Sequence, residues 1–231
     1  MTNKIKIAYI YLLLIIGPSV ANAGLLTEQL IFPQTGITLN NFVPKDWFIE
    51  NQINNDLDDD ALLDTILVLK ERSRKQQNFS GTLGARVLVI LFRNKDNSFR
   101  LGGVGKNLLW CEQCYGTLSE SNGGTPEIKV KNKIISIYQA GGSREAIDIA
   151  LKFRYENASS RFRLVGEDLV VRDRLSMEIN RESRNYLNGV RITENVIFDE
   201  NGENEKSTKR IEKISPAKLR LFIDTYNINT R

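Results

Sequence analysis

Apolar and polar positions alternate over short stretches of this chain, and turn residues interrupt them at short intervals. That pattern reads as β-strands joined by hairpins. Residues 86–92 (RVLVILF) form a strand candidate, and Asn94-Lys95-Asp96-Asn97 turns the chain into a second one from Ser98. Residues 127–130 and 134–138 make a hairpin around an asparagine-centred turn, Lys131-Asn132-Lys133. Gly141-Gly142-Ser143 breaks the chain again, and residues 147–155 and 161–165 form another pair. Residues 176–179 and 189–198 are shorter candidates, followed by a polar loop over 199–204. Near the end, Ser215-Pro216 has the form of a helix cap with proline in the first turn, and residues 217–226 carry leucine and phenylalanine at helical spacing. The pattern predicts a mainly β fold, an antiparallel sandwich or barrel-like, with a short C-terminal helix. An α+β arrangement is the alternative.

The first residues break this pattern. Lys4 and Lys6 precede an almost unbroken apolar run over 7–16, Gly17-Pro18 ends it, and Ala21-Asn22-Ala23 is a small-x-small cleavage pattern. Residues 1–23 therefore read as a signal peptide cleaved after Ala23, leaving 24–231 as a single exported β-rich domain, periplasmic or secreted. The run is too short for a stable membrane anchor, and no other segment of the chain offers one. The formal charge is only +4, and two of those charges belong to the leader. So small a surplus, with no basic run interleaved with aromatics, gives no ground for nucleic-acid binding.

The chain has no histidine. This removes the usual general base at neutral pH, the usual zinc ligand and every Ser-His or Cys-His nucleophile pair. Cys111 and Cys114 are the only cysteines. In an oxidising compartment they are expected to form a disulfide. Such a small ring is expected to contribute about 2 kcal/mol.

The strongest candidate chemistry is Asp56-Leu57-Asp58-Asp59-Asp60-Ala61-Leu62-Leu63-Asp64, followed at once by the apolar run 65–69. Alternate carboxylates in a tight loop can turn their oxygens inward, and calcium takes six to eight oxygens. Asp56, Asp58, Asp60 and Asp64 are the candidate side-chain ligands, with a backbone carbonyl near Leu62 completing the set. Glycine is usual at the sixth position, where the backbone turns sharply, but Ala61 stands there. A left-handed alanine costs about 1–2 kcal/mol, roughly tenfold in affinity. Extracellular modules work with calcium constants of about 10⁻⁴–10⁻³ M, so a weakened site still fills outside the cell. Two rivals stay open: a helix start, with Asp58 to Asp60 at its N-terminus, or a solvated acidic turn. Against the helix, Asp56, Asp60 and Asp64 would stack on one face and repel.

The loop resembles the Asp-rich calcium loops of FG-GAP and related propeller-type repeats. A longer series is more specific. Pro44-Lys45-Asp46-Trp47, the acidic loop, residues 86–91, Cys114-Tyr115-Gly116, Gly141-Gly142-Ser143, Phe153-Arg154-Tyr155 and Phe162-Arg163-Leu164-Val165-Gly166 follow in order. Over residues 43–170 this is similar to a family of exported bacterial proteins, of uncharacterised function, that carry a loop of the form GDLNxDGxxD. Asn55 and Ala61 depart from the glycines of that pattern, and Tyr115 from a glycine in its C-G-G. The resemblance implies a compact exported domain and names no activity.

The expected function is thus an exported binding or envelope-associated module with a structural calcium loop, facing a secreted or envelope protein partner. A small periplasmic enzyme is the alternative. Trp110-Cys111-Glu112-Gln113-Cys114 resembles the WCxxC of thiol oxidoreductases, although loop rather than helix residues follow it. Glu50, Glu127, Glu145 and Asp148 are carboxylates that hydrolysis could use in pairs, and Trp47 and Trp110 could stack on a sugar. Gly102-Gly103-Val104-Gly105-Lys106 lacks the spacer and the hydroxyl residue of a phosphate loop, and reads as a glycine-rich turn.

Overall fold

The apolar runs at 64–71 and 86–93 are too continuous for a strand with one wet face, and the computed structural model shows why. It describes residues 27–72, 84–116, 124–199 and 205–230. The signal-peptide candidate lies outside these, as do most of the polar stretches 119–124 and 199–204. One sheet has the order β1-β5-β4-β3-β2. It consists of β1 (Thr35–Gly36), β2 (Trp47–Asn55), β3 (Asp64–Glu71), β4 (Arg86–Arg93) and β5 (Phe99–Gly105). The other is a seven-stranded meander in sequence order: β6 (Glu127–Lys131), β7 (Ile134–Gly142), β8 (Glu145–Glu156), β9 (Arg161–Asp173), β10 (Ile179–Asn185), β11 (Val190–Phe198) and β12 (Glu205–Lys213). All pairings within both sheets are antiparallel.

Alternation along β3 and β4 sorts side chains into two cores. Ile66, Val68, Leu88, Ile90 and Phe92 face the second sheet, meeting Ile135, Ile137, Leu151, Phe153 and Phe162. Leu67, Leu69, Val87, Val89 and Leu91 face the other way, under Phe32, Phe42 and Trp47 from the segment before and at the start of β2. The expected mainly β antiparallel fold is present. So is the expected hairpin at 131–133, where Asn132 and Lys133 both take positive φ (51° and 61°), as a tight two-residue turn requires. Among the described residues no helix is long and apolar enough to cross a membrane.

The expected C-terminal helix is not there. Pro216–Lys218 and Ile228–Thr230 each make one 3₁₀ turn. Beyond the first the chain lies extended against β9 for a short stretch, where Leu164 N–H donates to Leu221 O (2.8 Å), Ile223 N–H donates to Phe162 O (2.9 Å) and Phe222 bridges Arg163, and it then turns, with Tyr226 N–H donating to Phe222 O (2.8 Å). Ile223, Tyr226 and Ile228 then enter the inter-sheet core. The sheet offered backbone partners and the core offered a seat for alternate side chains, and together these override helical spacing. The glycines of β5 also have a packing role, since a Cβ on Gly102 would lie 2.5 Å from the Phe92 ring. Gly102 to Gly105 are therefore strand rather than turn.

A charge is buried within this frame. Arg86, 2 % exposed, grips Glu50 through Nε (2.5 Å) and an Nη (2.8 Å), and its other Nη donates to Trp110 O (3.1 Å). Glu50 sits where the β2–β3 register shifts between Ile49 and Asn51, and Lys70 approaches it at 3.4 Å. Burial pushes the Glu50 carboxyl up, but hydrogen bonding and charge from Arg86, with Lys70, outweigh it and hold the group below its ordinary value. Removing one partner of such a pair leaves an uncompensated buried charge. Glu50→Gln is therefore expected to cost about 3–5 kcal/mol in denaturant unfolding. The parent's advantage should be full above pH 4.5 and shrink as pH falls through the lowered value, because protonating Glu50 mimics the variant. Equal stability of the two proteins at pH 7 would refute the assignment.

Candidate metal centre

The acidic segment is a loop between β2 and β3, not a helix start. Its last carboxylate, Asp64, is the first residue of β3 and is fully buried. Asp64 Oδ2 accepts from Leu57 N–H (2.9 Å) and Oδ1 from Arg93 N–H (3.0 Å), so one side chain closes the loop and fastens it to β4. Leu57, 2 % exposed, plugs the inter-sheet core. Across the gap, Lys133 of the β6–β7 turn forms an ion pair with Asp59. The loop thus touches both sheets.

Its backbone is tight. Asp59 and Ala61 take φ of 76° and 66°, the left-handed region in which a Cβ is crowded. Asp56 Oδ1 accepts from Asp59 N–H (2.9 Å) and Asp60 Oδ1 from Leu62 N–H (2.8 Å), which fold the loop on itself.

Ligand oxygens of Asp56, Asp58 and Asp64 lie within 4.8 Å of one another, a group that can hold a metal ion. Asp60 is exposed and outside this group. Asp58 is the informative member. Its side chain is 10 % exposed, and its Oδ2 accepts from Arg100 (3.0 Å), whose guanidinium lies 4.0 Å over the Phe92 ring. Its Oδ1 is buried and accepts no hydrogen bond, although Asp60 N–H lies close enough to the carboxylate to favour its charge. Crowding shows in the titration. Burial, then the Asp60 charge, raises Asp58 against the pull of Arg100. Burial raises Asp64 to about 6 despite its two N–H donors, with Asp58 and Asp60 adding to the rise. The site has more negative charge than its neighbours neutralise.

Cys111 and Cys114 form a disulfide across the 3₁₀ turn Glu112–Tyr115. Among the described residues no α-helix follows to stabilise a thiolate, and the adjoining cavity is only about 30 Å³, room for a water or two. The turn lies in the crossover between the sheets and is held from both. Arg86 of β4 binds Trp110 O, and Gln139 of β7 accepts from Trp110 N–H (2.7 Å) while donating to Leu108 O (3.2 Å). Gly141 must be glycine here, since a Cβ would lie 2.3 Å from Tyr115 O. Sequence reading missed Arg86 and Gln139; a lone arginine opening an apolar run was the one available signal. Of the hydrolase candidates, Glu50, Glu127 and Asp148 are each engaged by a cation, Arg86, Lys129 and Arg172 respectively. Trp47 packs in the outer core, and Trp110 packs edge-on against Tyr115.

Comparison of the chain with family models, with curated proteins and with solved structures finds no match.

Two outcomes follow from this geometry. Ala61→Gly should stabilise the metal-free protein by about 1 kcal/mol, read from its denaturant midpoint in EDTA, because it removes left-handed strain. The Cys111→Ser/Cys114→Ser double variant should lose about 2 kcal/mol in the same assay and keep its fold, as expected for a short ring.

Proposed function

We propose that this chain is an exported binding or envelope-associated module whose β2–β3 loop takes a divalent cation, calcium, in a structural role. One observation carries the reading: the buried Asp58 Oδ1, beside Asp56 and Asp64, completes no hydrogen bond, and the nearby Asp60 N–H only partly offsets its burial. A bare anionic oxygen out of water is costly unless a cation meets it. Asp56, Asp58 and Asp64 would supply carboxylate oxygens, each with lone-pair capacity beyond its present bonds. The Leu62 carbonyl and Asp60, swung from its present turn, would be further ligands. Calcium is favoured over magnesium because an irregular loop with several anionic oxygens suits a large, flexible coordination shell. The likeness to GDLNxDGxxD loops supports the same reading. Export is supported by the basic-apolar-small-residue leader and by the disulfide.

The ion's work would be mechanical. Asp64 begins β3, Leu57 anchors in the inter-sheet core, and Asp59 reaches Lys133, so fixing the loop fixes the junction of the two sheets.

The test is a thermal melt of the mature protein in EDTA, in millimolar calcium and in millimolar magnesium. At a calcium concentration 100-fold above Kd, binding adds about 2.7 kcal/mol, a rise of roughly 5–10 °C for a chain of this size. Magnesium should give less. Asp58→Asn should abolish the calcium shift, and a shift retained by Asp60→Ala would define a three-carboxylate set. Identical melts of the parent in EDTA and calcium would overturn the proposal and leave Arg100 and Lys133 as the loop's counter-charges among the described residues.

A further inference from the structure

We infer that the outer edge of β12 is a docking site for an extended acidic segment of another protein, taken up as an added strand. The inference rests on the binding-module reading but not on the cation site. β12 ends the seven-stranded sheet, and among the described residues no strand pairs with its outer side. It runs in unbroken register with β11 from Glu205↔Phe198 to Lys213↔Val190. The other edges are short or irregular: β1 has two residues, β6 has five, and β2 is interrupted at Glu50. Short and bulged edges are how sheets avoid unwanted pairing. A long, straight, open edge is what strand addition needs, with main-chain bonds giving affinity and alternate side chains giving specificity.

The side chains state which strand fits. Lys209, Ile211 and Lys213 alternate and so share one face of β12, and Ile211 is 67 % exposed. Among the described residues Lys206 and Lys213 form no ion pair, Lys209 stands across from Glu194 without closing to ion-pair distance, and Arg210 is held by Glu212 at 2.8 Å. A partner strand of the form acid–x–apolar–x–acid sets its apolar residue against Ile211 and its carboxylates against Lys209 and Lys213. Directly opposed unlike charges stabilise an antiparallel pair and like charges oppose it. A second copy that sets Ile211 against Ile211 opposes Lys209 to Lys213, like against like, and a register centred on Lys209, which matches Glu205 to Lys213 and Lys206 to Glu212, sets Lys209 against itself and Ile211 against Ser207. None of the chain's stretches 1–26, 73–83, 117–123 and 200–204 contains the acid–x–apolar–x–acid pattern.

Fluorescence anisotropy with a labelled synthetic peptide, Thr-Glu-Thr-Val-Thr-Glu-Thr, tests this directly. Saturable binding that weakens as salt is raised is expected, with the Lys-for-Glu peptide not binding. Lys209→Glu/Lys213→Glu, two surface changes, should weaken the acidic peptide about tenfold or more and transfer preference to the basic one. Hydrogen exchange should show peptide-dependent protection within β12. No binding at low salt, binding unaffected by the charge reversal, or binding without protection of β12 would each overturn the inference. The calcium melt is read separately, so failure here leaves the cation proposal untouched.

Discussion

The structure depends on one constraint: β3 and β4 are buried on both faces. An antiparallel strand with one wet face needs only every second residue to be apolar. These two need nearly all of them, because a second sheet covers one side and the Phe32–Phe42–Trp47 layer covers the other. Neither cover is dispensable. Without the N-terminal layer, Leu67, Leu69, Val87 and Val89 would present an apolar face to water, at roughly 1.5–3 kcal/mol for each side chain uncovered. The polar groups at the ends of these strands follow from the same constraint. Arg86 opens β4 and Asp64 opens β3, each at a point where the chain enters a dry interior. Each is satisfied there by partners fixed in place: Glu50 and Trp110 O for the first, two backbone N–H groups for the second.

The acidic loop inherits its shape from those strand ends. Asp64 cannot move without freeing the Leu57 and Arg93 amides, and Leu57 cannot move without opening the inter-sheet core. The six residues between them must close in that span, which is why Asp59 and Ala61 accept positive φ. Carboxylate crowding is thus imposed by closure rather than by mutual attraction, and Arg100 and Lys133 offset only part of it. Strain and unneutralised charge at one place are costs that a folded loop carries only where something else compensates them.

Legibility in the sequence tracked burial. Residues 86–92 announced a strand because two-sided burial writes an apolar run, and the 131–133 turn announced a hairpin because its flanks alternate. The left-handed stress at Ala61 was readable because loop position alone demands it. β12 was not readable, since EKSTKRIEK has a single apolar residue and no buried face to impose period two. β10, INRESRN, fails for the same reason, with only its first residue apolar. β2 was hidden by its interruption at Glu50, and the Arg86–Glu50 pair by its separation of 36 residues, which no local pattern can reveal. The C-terminal segment misled because leucine and phenylalanine at helical spacing equally suit a strand-like path when a sheet edge is waiting.

How β10 to β12 hold together without a core of their own is the last physical question the fold raises. Charge alternation across the strands supplies an answer. Buried Glu167 accepts from Tyr186 Oη (2.8 Å) and Arg184 (3.1 Å); Arg184 also meets Glu182; Glu182 accepts from Arg191 (2.7 Å); Arg191 reaches Glu212 (3.4 Å), which Arg210 closes at 2.8 Å. Single exposed pairs contribute little, but a chain of them in which every inner member serves two partners restricts side-chain freedom once for several bonds. The chain is anchored at its dry end, where burial raises Glu167 against the pull of Tyr186 and Arg184. It grows more exposed toward β12. The outer strands are therefore ordered by backbone pairing and charge register rather than by hydrophobic burial. That leaves the outer backbone edge of β12 in unbroken register and, among the described residues, open, which is the condition under which an edge can serve recognition instead of folding.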